Sequence, residues 1–166
     1  LPSLDLATPF VLELRDCPFR TQRQILFFLV DHLPRFSGGA LDARGNGQAL
    51  AEEARQRYGA DRIAEVMLSE SWYREHMPKL KAQFEDRTWN LPRDSQILDD
   101  YRALKMVRGV PRVPDKRTKD ADGKRHGDAA IAGCLAVYAA KTLAGGEPFE
   151  ALTSMPSQTS VLFRGY

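Results

Sequence analysis

The sequence has few of the residues that would indicate a secreted, zinc-binding or membrane protein. Its 166 residues include only two cysteines, Cys17 and Cys134, and neither belongs to a CxxC pair or a Cys/His cluster. This scarcity excludes a disulfide framework and is typical of a reducing cytosol. No apolar run reaches the length of a bilayer span, and the N-terminus lacks the basic start and apolar core of a signal peptide. We therefore expect a cytoplasmic protein without membrane contact.

The overall charge does not indicate a nucleic-acid partner, because the formal net charge is only +2. The distribution of charge is more informative, since basic residues outnumber acidic ones between residues 108 and 125. The basic residues there are Arg108, Arg112, Lys116, Arg117, Lys119, Lys124 and Arg125, and the acidic ones are Asp115, Asp120 and Asp122. Glycines and prolines in the segment favour a hairpin or loop. Such a segment can contact phosphates, and a solvated charged loop is the alternative.

Strand and helix patterns alternate along the chain and predict an α/β domain with a central sheet that is at least partly parallel. Strands are predicted at 9–16, 38–42, 62–69 and 87–92, and helices at 20–33, 48–59, 70–86, 94–105 and 128–143. The apolar spacing in 20–33 predicts a core-facing helix. Gly59 and Asp94 are expected to cap helix ends, and Pro78 is expected to kink or break its helix. Residues 1–143 form the predicted domain, and 144–166 an extended tail.

Two aspartates, Asp42 and Asp128, occupy positions in the predicted α/β domain at which bound ligands are commonly found. Asp42 ends the strand GGALD, and ligands gather at the carboxyl ends of parallel strands. Asp128 opens the most apolar helix and directly follows Lys124, Arg125 and His126. A strand-end and a helix-borne carboxylate together suit Mg²⁺ or Mn²⁺. Each also has a structural alternative: Asp42 can initiate a turn, and Asp128 can cap its helix.

Four stretches, in this order, resemble one known family. They are LPRFSGGALDARGNGQALAEEARQRYG, WYREHMPKLKAQFEDRTWNLPRD, LKMVRGVPRVPD and KRHGDAAIAGCLAVYAA. Together they look like the C-terminal nuclease domain of large terminase subunits from Mu-like phages and prophages. The resemblance covers residues 9–143, and the order of several motifs makes it more specific than any one of them.

The resemblance implies an RNase H-like fold, with a mixed central sheet flanked by helices, and a metal-dependent endonuclease that cuts concatemeric DNA during genome packaging. It implies that Asp42 and Asp128 are catalytic metal ligands for Mg²⁺ or Mn²⁺, with two ions in the complete site. The DNA-binding residues that it implies are Lys116, Arg117, Lys119, Lys124, Arg125 and His126. Implied partners are double-stranded DNA, an ATPase domain of the same full-length protein, and the small terminase and portal, all in the cytoplasm of the bacterial host.

The sequence departs from the family pattern in two respects. It contains no Walker A motif, so the ATPase motor is expected to be absent from this chain. The family's first carboxylate lies on an earlier strand, and neither Asp5 nor Asp16 matches it. We therefore expect an N-terminally truncated domain without its first strand and with impaired cleavage. A non-catalytic DNA- or portal-docking module, and another RNase H-like phosphotransferase such as a recombination nuclease, are the alternatives.

Overall fold

A computed structural model describes residues 5–113, 118–120, 123–125 and 127–143. The helices are α1 (Phe19–His32), α2 (Gly47–Tyr58), α3 (Glu70–Glu85), α4 (Ser95–Arg102) and α5 (Asp128–Thr142). The strands are β1 (Leu6–Ala7), β2 (Gly39–Asp42), β3 (Ile63–Val66), β4 (Trp89–Asn90), β5 (Lys105–Val107), β6 (Val110–Arg112), β7 (Thr118–Asp120) and β8 (Gly123–Arg125). The mixed α/β class is confirmed. None of these helices is long and apolar enough to cross a membrane.

The strands pair two by two in the described part of the chain. β1 pairs with β4 and β2 with β3 in parallel, while β5–β6 and β7–β8 are antiparallel hairpins. The predicted parallel pairing is therefore confirmed, but the strands do not join into one central sheet. Since β1 and β4 have two residues each and β2 and β3 have four, each ladder contains few hydrogen bonds.

The predicted strand at 9–16 is wrong. The strand of this region is β1, which lies just before it, and residues 8–14 form no strand or helix. Phe10, Leu12 and Leu14 alternate as in a half-buried strand, yet they are 50%, 52% and 41% exposed. The alternation could not produce a strand because, in the described structure, no neighbouring strand pairs with this segment.

Helix α1 forms almost where it is predicted, but it packs less deeply than a core helix. None of its residues is buried, and Phe28 is 61% exposed. The helix lies along α2 through polar contacts, in which Asp31 accepts hydrogen bonds from Arg57 Nη2 at 2.7 Å and from the Tyr58 hydroxyl at 2.9 Å. The apolar residues of its inner face are half-buried, namely Ile25, Leu26, Leu29 and Val30. The apolar spacing therefore predicts the helix and its inner face correctly, but none of these residues reaches full burial.

Helix α5 is the centre of the core. Seven of its residues are buried: Ala129, Ala130, Gly133, Cys134, Leu135, Val137 and Ala139. On one side Cys134 and Val137 cluster with Met77, Leu80 and Trp89, and on another Leu135 clusters with Val66 and Leu68. The small residues of α5 allow its neighbours to approach closely, which explains why an alanine-rich helix forms the core.

Two of the predicted helix caps, Asp94 and Gly59, agree with the structure. Asp94 caps α4 by accepting hydrogen bonds from the backbone N–H groups of Gln96 and Ile97. Gly59 caps α2 with a φ of 98°, in the region that favours glycine. Helix α3 continues through Pro78 from Glu70 to Glu85, so Pro78 does not break its helix, and the kink stays a prediction.

Candidate functional site

Asp42 is the last residue of β2, at the carboxyl end of a parallel strand pair. Its register partner on β3 is Val66, and the backbone N–H of the following residue, Ala43, donates to the Val66 carbonyl at 2.8 Å. The side chain of Asp42 is 38% exposed, so its carboxylate is accessible to solvent. The structure therefore places Asp42 at the strand end that the sequence predicts.

The carboxylate of Asp42 also initiates a turn. Its Oδ1 accepts a hydrogen bond from the backbone N–H of Arg44 at 3.0 Å, which is the geometry of a turn-initiating aspartate. The Arg44 side chain returns to the same carboxylate, with Nε 3.2 Å from Oδ1 and Nη2 3.5 Å from Oδ2. The structural alternative for Asp42 is thus confirmed, and its partner Arg44 is one that no pattern in the sequence indicates.

Tyr73 on α3 lies beside this ion pair. Burial raises the pKa of the Tyr73 hydroxyl above its ordinary value, while the charge of Arg44 opposes this shift. Burial acts to lower the pKa of Arg44, but hydrogen bonding and charge attraction from Asp42, together with Tyr73, outweigh it and leave the pKa raised. Arg44 therefore remains charged, between a carboxylate and a neutral phenol.

Asp42 and Asp128 lie at the same end of two packed elements. Helix α5 packs against β2. Gly38, just before β2, lies so close to Leu143, just after α5, that a Cβ added to Gly38 would be 2.7 Å from the Leu143 Cβ. The two elements therefore run antiparallel. Leu135 clusters with Val66, the register partner of Asp42, and Asp128 lies seven residues earlier, on the order of 10 Å along the helix axis.

The structural alternative for Asp128, that it caps α5, is wrong. Asp128 is the first helical residue and is exposed, and the cap position belongs to Gly127. Asp100 on α4 supplies the capping carboxylate instead, since its Oδ2 accepts a hydrogen bond from the backbone N–H of Ala129 at 3.1 Å. Asp100 is only 4% exposed. The sequence signal for it was its position three residues after Ile97, which places both on the buried face of α4.

Gly127 fixes where α5 begins. Its φ of 69° lies in the left-handed region, and a Cβ added there would be 2.7 Å and 2.9 Å from the two methyl carbons of Val113. Its carbonyl accepts hydrogen bonds from the backbone N–H groups of Ala130 and Ile131, at 3.1 Å and 3.2 Å. The chain therefore turns sharply into the helix, and Asp128 follows this turn directly.

The basic segment leads into the same end of α5. Strands β7 and β8 form the predicted hairpin immediately before Gly127, with Lys119 as the register partner of Lys124 and Thr118 as that of Arg125. The predicted DNA-binding residues Lys116, Arg117 and His126 lie outside the described residues, as does the tail at 144–166.

The carboxylates of Asp42 and Asp128 are the kind of ligand that a hard divalent cation prefers. Two carboxylates, however, supply only a few of the ligands that such a cation needs. Mg²⁺ is often bound by one or two carboxylates, with waters and substrate phosphates completing its shell. Both carboxylates are exposed at one end of the packed pair. Among the residues that the structure describes, no group of three or more His, Cys, Asp or Glu side chains is placed to hold a metal ion. A cation here would therefore rely on water and phosphate for most of its coordination.

The chain is similar to two curated proteins. It is 46% identical over 136 residues to the Mu-like prophage FluMu protein gp28 of Haemophilus influenzae, an alignment that covers 82% of this chain and 27% of that protein. The chain is thus related to one segment of Mu-like gp28. It is also 46% identical over 140 residues to the gp28 of Escherichia phage Mu, named as a probable terminase, large subunit, with 83% of this chain and 25% of that protein covered.

The similarity to gp28 covers only part of the length of each gp28 protein. The chain spans about a quarter of the length of these two gp28 proteins. No protein-family model matches the chain, and no solved structure matches it.

Proposed function

We propose that this chain is the metal-dependent DNA endonuclease segment of a phage terminase large subunit, which cuts concatemeric DNA during genome packaging. Its similarity to gp28 supports the terminase assignment. One structural observation carries the nuclease assignment: Asp42 ends a parallel strand at the same end as Asp128 opens the helix packed against it. We propose an RNase H-like arrangement for these elements.

In this proposal, Asp42 and Asp128 hold Mg²⁺ or Mn²⁺ beside the scissile phosphate. The bound metal supplies Lewis acidity to the phosphodiester and its attacking water. The basic segment from Lys116 to His126 contacts the DNA backbone. The backbone register of the hairpin pairs Lys119 with Lys124, and lysines that neutralise phosphates contribute to affinity for DNA.

The proposed partners follow from the same assignment. They are double-stranded DNA, an ATPase domain of the same full-length protein, and the small terminase and portal, in the cytoplasm of a bacterial host. Because two carboxylates leave most of the coordination shell to water, we expect weak metal binding and slow cleavage by this chain alone.

The test is nicking of supercoiled plasmid with Mg²⁺ or Mn²⁺. We expect the wild-type chain to nick slowly, and Asp42→Asn and Asp128→Asn each to reduce the rate at least about 100-fold, since each removes a charged ligand. Glu85→Gln is the control, because Glu85 lies in an exposed i,i+4 pair with Lys81 at the end of α3. Nicking that persists in excess chelator, or that survives both aspartate substitutions, contradicts the proposal.

A second candidate is a non-catalytic docking module for DNA or the portal. It is favoured by the lack, in the described ranges, of a third side chain that could complete a metal site with the two aspartates. This candidate predicts salt-sensitive DNA binding without cleavage at any Mg²⁺ or Mn²⁺ concentration. Binding measurements at several salt concentrations, made alongside the nicking experiment, separate the two functions.

A further inference from the structure

Both carboxylate oxygens of Asp42 are engaged by a single neighbour, Arg44. Oδ1 accepts from the Arg44 backbone N–H at 3.0 Å and from Nε at 3.2 Å, and Oδ2 accepts from Nη2 at 3.5 Å. A guanidinium fork set against a carboxylate in this way neutralises its charge and occupies the lone pairs that a cation needs. Asp42 therefore cannot offer its full ligand capacity to a metal while Arg44 remains in place.

The turn after β2 holds the Arg44 backbone near Asp42. Gly45 has a φ of 53°, and the backbone N–H of Gly47 donates to the Arg44 carbonyl at 3.0 Å. A Cβ added to Gly47 would clash with the Asp42 carbonyl, so the chain folds back closely on the strand end. Because the turn fixes the backbone, only the arginine side chain has to move for the ion pair to open.

The ion pair between Arg44 and Asp42 is exposed enough for a cation to replace the guanidinium. The side chains of Arg44 and Asp42 are 46% and 38% exposed, and surface pairs of this kind contribute little free energy. A divalent cation at Asp42 would repel the guanidinium and compete for the same oxygens. The displaced guanidinium, attached two residues away, would stay within a few ångströms of the cation. The bidentate geometry that matches a carboxylate also matches a phosphate.

We infer that Arg44 is an exchangeable counter-ion of Asp42: a divalent cation displaces its guanidinium from the carboxylate, and the released guanidinium binds a backbone phosphate of the DNA. This inference rests on the proposed function and adds Arg44 to it as a phosphate-binding residue. It makes metal and DNA binding cooperative, because the phosphate ligand is released only when the cation occupies Asp42.

The experiment measures Mn²⁺ binding by electron paramagnetic resonance, and binding of a phosphorothioate-linked duplex by fluorescence anisotropy with and without Mn²⁺. The variants are Arg44→Gln, Arg44→Lys, Asp42→Asn and the control Arg57→Gln. Arg57 is a matched control because its pair with Asp31 has nearly the same exposure, 50% and 38%, on a different surface.

We expect Arg44→Gln to bind Mn²⁺ about two- to five-fold more tightly than the wild type, since an exposed ion pair no longer competes. Its affinity for the duplex should fall only when Mn²⁺ is present. In Arg44→Lys the lysine should still compete in part with Mn²⁺ for the Asp42 carboxylate. It should bind phosphate less well than arginine does, because an ammonium group lacks the planar fork of the guanidinium. Arg57→Gln should match the wild type in all of these measurements.

The outcomes separate this inference from the proposed function. Wild-type protein that binds no Mn²⁺ in an Asp42-dependent manner contradicts the proposed function and the inference together. Asp42-dependent Mn²⁺ binding that is equal in Arg44→Gln and Arg57→Gln overturns the inference alone. Tighter Mn²⁺ binding by Arg44→Gln without the Mn²⁺-dependent loss of duplex affinity also overturns it, because Arg44 would then not pass to the phosphate.

Discussion

The carboxylate of Asp100, on α4, caps α5 by accepting a hydrogen bond from the backbone N–H of Ala129 at 3.1 Å. The N-terminus of the central helix is thus stabilised from a different helix. Asp100 is 4% exposed, and a negative charge at a helix N-terminus interacts favourably with the helix dipole. This contact holds the start of α5, and therefore Asp128, in position against α4.

Asp100→Ala should destabilise the protein by about 1–3 kcal/mol, because it leaves a buried backbone N–H without its acceptor. Asp100→Asn keeps an oxygen acceptor and loses only the charge, so it should cost less than Asp100→Ala. Urea unfolding followed by circular dichroism measures both. The neighbouring Asp99→Asn, on the exposed face of α4, is the control and should stay within about 0.5 kcal/mol of the wild type. Equal costs for Asp99→Asn and Asp100→Ala would contradict the capping role.

Gly133 allows Tyr101 and Trp89 to pack directly on α5. A Cβ added to Gly133 would clash with the Tyr101 hydroxyl and would lie 2.7 Å from Trp89 Cη2. Gly133→Ala should therefore destabilise the protein by about 1–3 kcal/mol through overpacking, despite the higher helix propensity of alanine. Thermal unfolding of Gly133→Ala, Tyr101→Phe and the double variant measures the coupling. Removing the hydroxyl should lower the cost of Gly133→Ala, and strictly additive costs would exclude this steric relationship.

The two cysteines should differ sharply in reactivity. Burial raises the pKa of the Cys134 thiol to about 12, with Lys79 opposing the shift, and the side chain is almost fully buried. Because the thiolate is the reactive form, a disulfide reagent at pH 8 should modify one thiol per native chain and two per chain in denaturant. Cys17, which is partly exposed, should be the native site. Cys17→Ser should abolish the native reaction, and rapid modification of that variant would contradict the burial of Cys134.

His76 should make the protein less stable in mild acid. It lies between Trp72 and Tyr138, with ring centroids 4.7 Å and 4.9 Å away. Burial lowers its pKa from 6.5, the nearby Lys79 lowers it further, and Glu75 opposes the shift. The unfolded chain therefore binds the proton more readily than the folded one, so stability is lost as pH falls below about 6.5.

Urea unfolding at pH 7.5 and 5.5 tests this dependence on His76. His76→Gln should lose less stability between the two pH values than the wild type does. His32→Gln is the control on α1, where His32 stacks on Phe28 at an exposed position. If His76→Gln loses as much stability between pH 7.5 and 5.5 as the wild type does, the pH dependence belongs to other groups.

Most helices could be predicted because their signals are local. Apolar spacing and helix-forming residues predicted α1 to α5, and Asp94 and Gly59 identified two of the helix ends. The position of Asp42 at a strand end was predictable for the same reason, since the strand, the aspartate and the glycine turn follow one another directly. Its metal-binding and catalytic role stays a prediction, as does that of Asp128.

The wrong predictions concern contacts between parts of the chain that are distant in sequence. The alternation of Phe10, Leu12 and Leu14 indicated a strand, but strand formation needs a partner that this segment lacks in the described structure. Likewise, the spacing in α1 could not show that the helix would contact α2 through Asp31 and an edge contact of the Phe27 ring, with its apolar residues only half-buried. One alternative for Asp128 was to cap its own helix, whereas Asp100, 28 residues earlier in the sequence, supplies the cap.

The sequence by itself determined the kinds of elements, several of their ends, and the candidate aspartates, because periodicity, caps and turn residues act over a few neighbouring positions. Only the tertiary structure decided which faces are buried, which strands pair, and which groups surround each aspartate. The packing of α5 against β2 brought Asp42 and Asp128 to one end, and the fold-back after β2 set Arg44 on the Asp42 carboxylate. Burial and pairing depend on partners from elsewhere in the chain, and a local pattern does not specify them.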